Sequence, residues 1–241
     1  MNSVWKSELN LSESLWRYLK TERFVWMVEN SCAYFAAATQ FADPFERAVA
    51  VMPPDFPVDP RYQEPFDMEQ AFRELKRLTK INCWHRADYE SDAMWKLYAG
   101  ESKGVAICST PKRMQAAFRP FRLKPEYGIE DLWAGEVRYV DLLKVRMKTG
   151  MLERFFCKHQ AFSWEREFRL AISVRTAEEF AVKVPKLGIH VSVDIDALIE
   201  KIMLGPNLTV DDCDLIISHA EKTGVGKRIC KSSLLGRPRY V

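Results

Sequence analysis

Two glutamates and an arginine, spaced two residues apart, lie inside an apolar run: Glu165, Glu167 and Arg169 within F-S-W-E-R-E-F-R-L-A-I, Phe162 to Ile172. In a strand, successive side chains face opposite ways. These three would then share one face, with Trp164, Arg166, Phe168 and Leu170 on the other. In a central strand, loss of water raises the carboxyl pKa values and the guanidinium lowers them. Carboxyls pulled both ways suit proton transfer or a functional ion pair. The pattern equally fits an edge strand carrying a solvated row of ion pairs, each worth ~0–1 kcal/mol.

Other residues could also do chemistry. Asp43 and Glu46 in F-A-D-P-F-E, Phe41 to Glu46, either cap a helix after the turn at Pro44 or present two carboxylates from a loop. Cys83/His85 and Cys157/His159 are Cys-x-His pairs. Two apart on a strand, such side chains share a face, but a zinc site asks for four ligands at recognisable spacing, and no metal is expected. Met94, Trp95 and Tyr98 pack as helix neighbours, or Trp95 and Tyr98 stack on a flat ligand ring. The chain has no phosphate loop, no G-x-G-x-x-G, no H-E-x-x-H and no G-x-S-x-G. This argues against P-loop nucleotidases, dinucleotide reductases, zinc proteases and α/β-hydrolases.

The elements that must position these groups follow from pattern. Strands are expected at Leu15–Leu19, Ala33–Ala37, Ile81–Trp84, Gly104–Ser109, Gly135–Val140, Ala181–Val184, Ile189–Val193, Ile202–Leu204 and Arg228–Lys231. Helices are expected after Thr21, which reads as an N-cap, and from Asp67, which pairs with Gln70. Further helices should start after Ser91 and Thr110-Pro111 and run to Gly100 in the first case. Met151–Phe162 has helical spacing and delivers the chain to the carboxylate run. A last helix opens at Thr209/Asp212 and stops at Gly224. Residues 119–135 read as loop and Ile195–Ile199 stays ambiguous. Irregular alternation of strands and helices predicts an α+β fold around a mostly antiparallel sheet flanked by helices. One domain, 1–241, is expected, with a stiff proline-rich loop at 52–65 and a basic C-terminal tail at 225–241.

Composition is that of a folded protein: 241 residues, 47% hydrophobic, with 7 Trp and 14 Phe to fill a core. No apolar run reaches the ~20 residues that span a bilayer, and the N-terminus lacks a secretory pattern. A cytoplasmic protein with no membrane partner is expected, its 6 cysteines read as buried thiols. Charge is uneven: residues 1–70 hold 6 basic and 11 acidic groups, whereas 221–241 hold 6 basic and 1 acidic. Lys227, Arg228, Lys231, Arg237 and Arg239 could meet nucleic acid or another polyanion.

Taken in order, F-A-D-P-F-E, M-W-K-L-Y-A at Met94–Ala99, G-V-A-I at Gly104–Ile107, W-E-R-E-F-R at Trp164–Arg169 and I-E-K-I-M-L-G-P at Ile199–Pro206 resemble an uncharacterised, mainly bacterial family catalogued as domain of unknown function 2971. The resemblance spans about Leu15 to Leu234. Ala42 departs from it, since the family tends to have Asn before Asp-Pro. A second resemblance is to ADP-ribosyltransferases, which share a split antiparallel sheet and end their site on a strand bearing Glu or Glu-x-Glu. It implies a transferase or glycohydrolase using NAD as substrate, acting on a protein or nucleic-acid acceptor as a toxin or phage-defence effector. On that likeness Glu167 is the catalytic acid and Glu165 assists. Arg17, Tyr18, Asp43, Glu46, Trp95, Tyr98, Lys158 and Arg169 bind substrate: Trp95 and Tyr98 near nicotinamide, and Arg17, Lys158 or Arg169 on pyrophosphate. Two alternatives remain open: a non-catalytic module binding nucleic acid or protein through the basic tail, and a carboxylate- and metal-dependent nuclease or hydrolase using Asp43/Glu46 with Glu165/Glu167.

Overall fold

The structure, a computed structural model, describes residues 1–5, 8–41, 65–126, 128–145, 147 and 149–236. Asp43, Glu46, the proline-rich stretch up to residue 64 and tail residues Arg237 and Arg239 lie outside the described residues. In chain order the elements are β1 (Asn2–Ser3), β2 (Leu15–Lys20), α1 (Thr21–Asn30), β3 (Cys32–Ala37), α2 (Pro65–Leu78), β4 (Thr79–Arg86), α3 (Asp92–Tyr98), β5 (Gly104–Ser109) and α4 (Pro111–Ala117). Then follow β6 (Leu132–Glu136), β7 (Arg138–Val140), β8 (Cys157–His159), β9 (Glu167–Ser173), α5 (Arg175–Glu179), β10 (Gly188–Ser192), α6 (Ile195–Leu198), β11 (Lys201–Leu204), α7 (Val210–Lys222) and β12 (Ile229–Lys231). The fold is α+β, with helices flanking a mostly antiparallel sheet.

The chain forms two compact units: Met1–Glu8, Tyr34–Cys83 and Pro120–His190 make the first, and Leu9–Ala33, Trp84–Arg119 and Val191–Val241 the second. In the first, β1 runs parallel to β6, β6 antiparallel to β9, and the start of β4 antiparallel to the end of β3. A separate parallel ribbon joins β7 to β8 with Tyr139 opposite Lys158. Its core gathers Val4, Trp5, Ala38, Ile81, Phe155, Phe156, Cys157 and Ala171. Burying the larger of these, such as Val4, Ile81, Phe155 and Phe156, stabilises by about 1.5–3 kcal/mol each.

One buried cation in this unit has no carboxylate partner among the described residues. Lys80 is fully buried, and its ammonium donates to the carbonyls of Arg77 and Pro185 at 2.7 Å each. Arg77 lies in the last turn of α2, where unpaired carbonyls favour a cation. Burial outweighs that and lowers the Lys80 pKa to about 8.

In the second unit, β2 pairs antiparallel with the end of β4 and along its whole length with β5. β5 pairs antiparallel with β11, and β11 parallel with β12. β5 is buried at every position, which explains why Gly104–Ser109 reads as a continuous apolar run rather than an alternating one. Helix signals are met where a side chain caps the first turn. Ser91 accepts from Met94 N, Thr110 from Arg113 N with Pro111 at the first position, and Thr209 from Asp212 N. α1 and α7 pack together, with Phe24, Met27 and Val28 buried on one and Ile216 and Ala220 on the other.

Several expectations are corrected. Met151–Phe162 is not one helix: Glu153–Phe156 forms a single 3-10 turn and Cys157–His159 is strand β8. The apolar spacing suits a helix, but pairing with β7 overrides it. Phe162 does not begin a strand either. Gln160–Glu165 is 3-10 helix, started by His159 Nδ1 accepting from Ala161 N and ended by Arg166 at φ 42°. β9 begins only at Glu167. Residues 119–135 include the first residues of β6, and the expected strand Gly135–Val140 divides into β6 and β7. Ala181–Val184 is not a strand, because Ala181 adopts φ 56° and Val182 N closes back on Ala177 O. Thr21 is the first residue of α1 rather than its cap, and its hydroxyl donates to Lys103 O at 3.2 Å.

Gly104 opens β5 where a Cβ would lie 2.1 Å from Leu19 O, a backbone atom that cannot swing aside. Gly104→Ala should cost about 3 kcal/mol or more, read as a lower urea midpoint at unchanged slope. A midpoint within error of wild type would contradict the close approach.

Candidate functional site

β9 is buried on both faces from Glu167 to Ile172, so this is a central strand and not a solvated edge. Glu165 is 6% exposed, Glu167 7% and Arg169 0%. Burying charge in this way costs several kcal/mol per ion unless each has a close partner. The partners come from two neighbours. Lys158, from β8, donates to Glu165 Oε2 at 2.5 Å and to Glu167 Oε1 at 3.1 Å. Arg169, two residues along the same face of β9, donates through Nε to Glu167 Oε2 at 2.7 Å and through Nη2 to Glu167 Oε1 at 2.9 Å. Its Nη1 donates to Phe155 O at 2.6 Å. Tyr139, opposite Lys158 in the ribbon, accepts the Glu167 N–H on its hydroxyl at 2.8 Å. The cations also face rings: Lys158 Nζ is 4.6 Å from the Phe162 centroid and Arg169 Cζ 5.6 Å from that of Phe41.

Arg166 makes this convergence possible. Its left-handed φ of 42° turns the chain between the 3-10 helix and β9. A non-glycine residue there costs roughly 1–2 kcal/mol. The turn lets Glu165 and Glu167 both reach one ammonium, although only Glu167 is in the strand.

The two carboxyls are driven apart in acidity. Burial raises both, and they are hydrogen-bonded to each other. For Glu167, the Arg169 fork and Lys158 overcome burial and hold its carboxyl well below the ordinary range. For Glu165, burial and the bond to Glu167 outweigh Lys158 and push it up to about 7. Like charges sharing a site put the first proton on one partner, and here that partner is Glu165. Burial alone would lower Lys158, but the Glu167 and Glu165 carboxylates raise it above its ordinary value. The cluster therefore contains one fixed anion, two fixed cations and one carboxyl that exchanges its proton near neutrality. Such a carboxyl can work as acid or base.

Within the first unit the structure thus brings together four of the expected residues, Lys158, Glu165, Glu167 and Arg169. Arg17, Tyr18, Trp95 and Tyr98 belong to the second unit. Trp95 is fully buried there, donating from Nε1 to Glu90 Oε2 at 2.7 Å and meeting Tyr18 edge-on with ring centroids 5.0 Å apart. No face of Trp95 is open for a nicotinamide ring, and that expectation is corrected. Tyr18 is buried too, its hydroxyl accepting from Ser91 N at 2.7 Å. Arg17 lies over the Trp84 ring at 6.0 Å, and Tyr98 is exposed. Cys157 and His159 lie two apart on β8 rather than in a helix. Among the described residues no three His, Cys, Asp or Glu converge as for a metal ion. Nor is any described helix long and apolar enough to cross a membrane. Of the basic tail, Arg228 is committed within the fold. It donates from Nη1 to Asp196 O at 2.5 Å and Ile199 O at 2.6 Å, and from Nη2 to Asp196 Oδ1 at 2.5 Å.

The sequence reading missed Tyr139 and the Phe155 carbonyl. Tyr139 stands in the alternating run G-E-V-R-Y-V, where its orientation depends on the ribbon partner. No family model, curated protein or solved structure matches this chain.

Glu165 and Glu167 should leave opposite marks on stability. The contribution of Glu165 is full below the ordinary carboxyl value of 4.5 and is lost as pH rises through about 7. That of Glu167 is present above its ordinary value and lost only on acidification. Urea midpoints should therefore decline between about pH 5 and about pH 8, and Glu165→Gln should flatten the decline. An equal decline in the variant would assign it to another group.

Proposed function

We propose that this chain is an enzyme acting on an N-glycosidic bond, with NAD as substrate and Glu165 as its acid–base group. The observation that carries the reading is the contact of a buried Glu165 with Lys158 beside an anchored Glu167, where burial and Glu167 raise the Glu165 carboxyl to about 7. The motif likeness to ADP-ribosyltransferases supports NAD as the compound.

In this reaction the bond between ribose C1′ and nicotinamide breaks, and its electron pair leaves with nicotinamide. A carboxylate beside the ribose stabilises the cationic centre left behind. An acceptor oxygen, from water or from a protein or nucleic-acid group, bonds to C1′, and its proton passes to the Glu165 carboxylate. Glu167 cannot take this part as readily, since Arg169 and Lys158 already occupy both its oxygens. It serves instead to fix Lys158. This assignment gives Glu165 the role that the sequence likeness gives Glu167.

Nicotinamide release from NAD is the direct test. Wild type should turn NAD over, with a rate that climbs through about pH 7 as Glu165 ionises. Glu165→Gln should lower kcat by about 10²–10⁴-fold while the melting temperature stays close to wild type. Glu167→Gln should instead destabilise the fold by about 3–5 kcal/mol, because it strands Arg169 in the interior. If NAD neither shifts the melting temperature nor yields nicotinamide, the reading is wrong.

A further inference from the structure

A partly buried carboxylate, Glu90, sits in the second unit and takes no part in the proposed chemistry. Glu90 lies between β4 and α3 and receives four hydrogen bonds. Trp95 Nε1 donates to Oε2 at 2.7 Å and Ser232 Oγ to Oε2 at 2.6 Å. Ser233 N and Ser233 Oγ each donate to Oε1 at 2.6 Å. All four donors are neutral. Burial opposes the charge, but these bonds together hold the carboxyl below its ordinary range.

Three of the four donors belong to one stretch at the C-terminal end. β12, Ile229–Lys231, adds to β11 by parallel pairing, and Ser232 N continues onto Leu204 O at 3.2 Å. Ser232 Oγ then caps the 3-10 turn Ser233–Leu235 by accepting from Leu234 N at 3.1 Å. Both large side chains of that turn, Leu234 and Leu235, are exposed, and no residue of the turn is buried. The turn is therefore held by polar bonds to a single carboxylate and not by apolar packing. The hold is also asymmetric: Ser232 is buried at 3% exposure, whereas Ser233 is exposed while touching the same carboxylate.

We propose that the C-terminal segment, residues 229–236, is a detachable strap latched by Glu90, and that an anionic group at Ser233 is what undocks it. A negative charge at Ser233 stands within hydrogen-bond distance of a carboxylate whose bonding partners are all neutral. It replaces two donated hydrogen bonds with repulsion. No side chain of the turn itself is buried, and besides Glu90 the described segment is held by the β12 ladder, the buried Ser232 and the contact of Cys230 Sγ with Ile202 O. A phosphate on the Ser233 hydroxyl, transferred from a nucleoside triphosphate, is the modification of this chemistry.

The test uses the whole chain and trypsin cleavage after Lys231, checked by amide hydrogen exchange over 229–236. Ser233→Asp should be cut about tenfold faster than Ser233→Asn, which has the same size without the charge. Glu90→Gln alone should also speed the cut, and adding Ser233→Asp to it should change the rate by no more than about twofold. Equal rates for Ser233→Asp and Ser233→Asn overturn the proposal, as does unchanged protection in Glu90→Gln. The second result decides the matter if Ser233→Asp fails to fold. A melting temperature that collapses together with the protection shows that the segment unfolds with its unit and also overturns it.

Discussion

The first unit depends on charge that has been taken out of water. Four ionisable side chains meet at the start of β9 with almost no solvent contact, and none could stay there alone. The attraction between Lys158 and two carboxylates, together with the fork from Arg169, offsets the loss of hydration. Because each charge depends on a close partner, the arrangement also dictates backbone. β8 has to bring Lys158 level with Tyr139, the chain has to turn at Arg166, and β9 has to start at Glu167 and not earlier. The secondary structure here follows the electrostatics rather than local preference.

That ordering explains what was legible in the sequence. Elements whose ends are written locally were readable: β5 from its unbroken apolar run, α3, α4 and α7 from a capping hydroxyl, and Gly224 at φ 80° just past the last helix. Between residues 151 and 166 the same rules mislead. Met151, Leu152, Phe155 and Phe156 have helical spacing, yet Cys157–His159 is claimed by the ribbon partner Arg138–Val140, nineteen residues earlier in register. Only the tertiary pairing can reveal that. The site was half readable for the same reason. Glu165, Glu167 and Arg169 declare themselves by spacing within one segment. Tyr139 does not, because its relevance lies in a register between two strands.

The second unit solves a related problem without cations. Glu90 is kept ionised by an indole, two hydroxyls and a backbone amide, each worth more to a charged acceptor than to a neutral one. Trp95 and Tyr18, whose residue types suggest a platform for a flat ligand, are drawn into that scheme as supports of the core. Aromatic side chains with a polar edge suit this dual duty, burying a broad apolar surface while spending their single donor or acceptor on a neighbour.

Two interior lysines of the first unit live under opposite rules. Lys80 donates to neutral carbonyls and, with burial and the nearby Arg77 charge against it, surrenders its proton at about pH 8, whereas Lys158 is enclosed by carboxylates that bind its proton more tightly. Position 80 thus asks for length and a donor, and an uncharged group would serve it. Position 158 asks for a permanent cation compact enough to touch two carboxylates at once, which the planar guanidinium of arginine does not supply in the same way. A reagent that seeks free amines and reaches both positions in the folded protein would find its nucleophile at the first of these and an inert ammonium at the second.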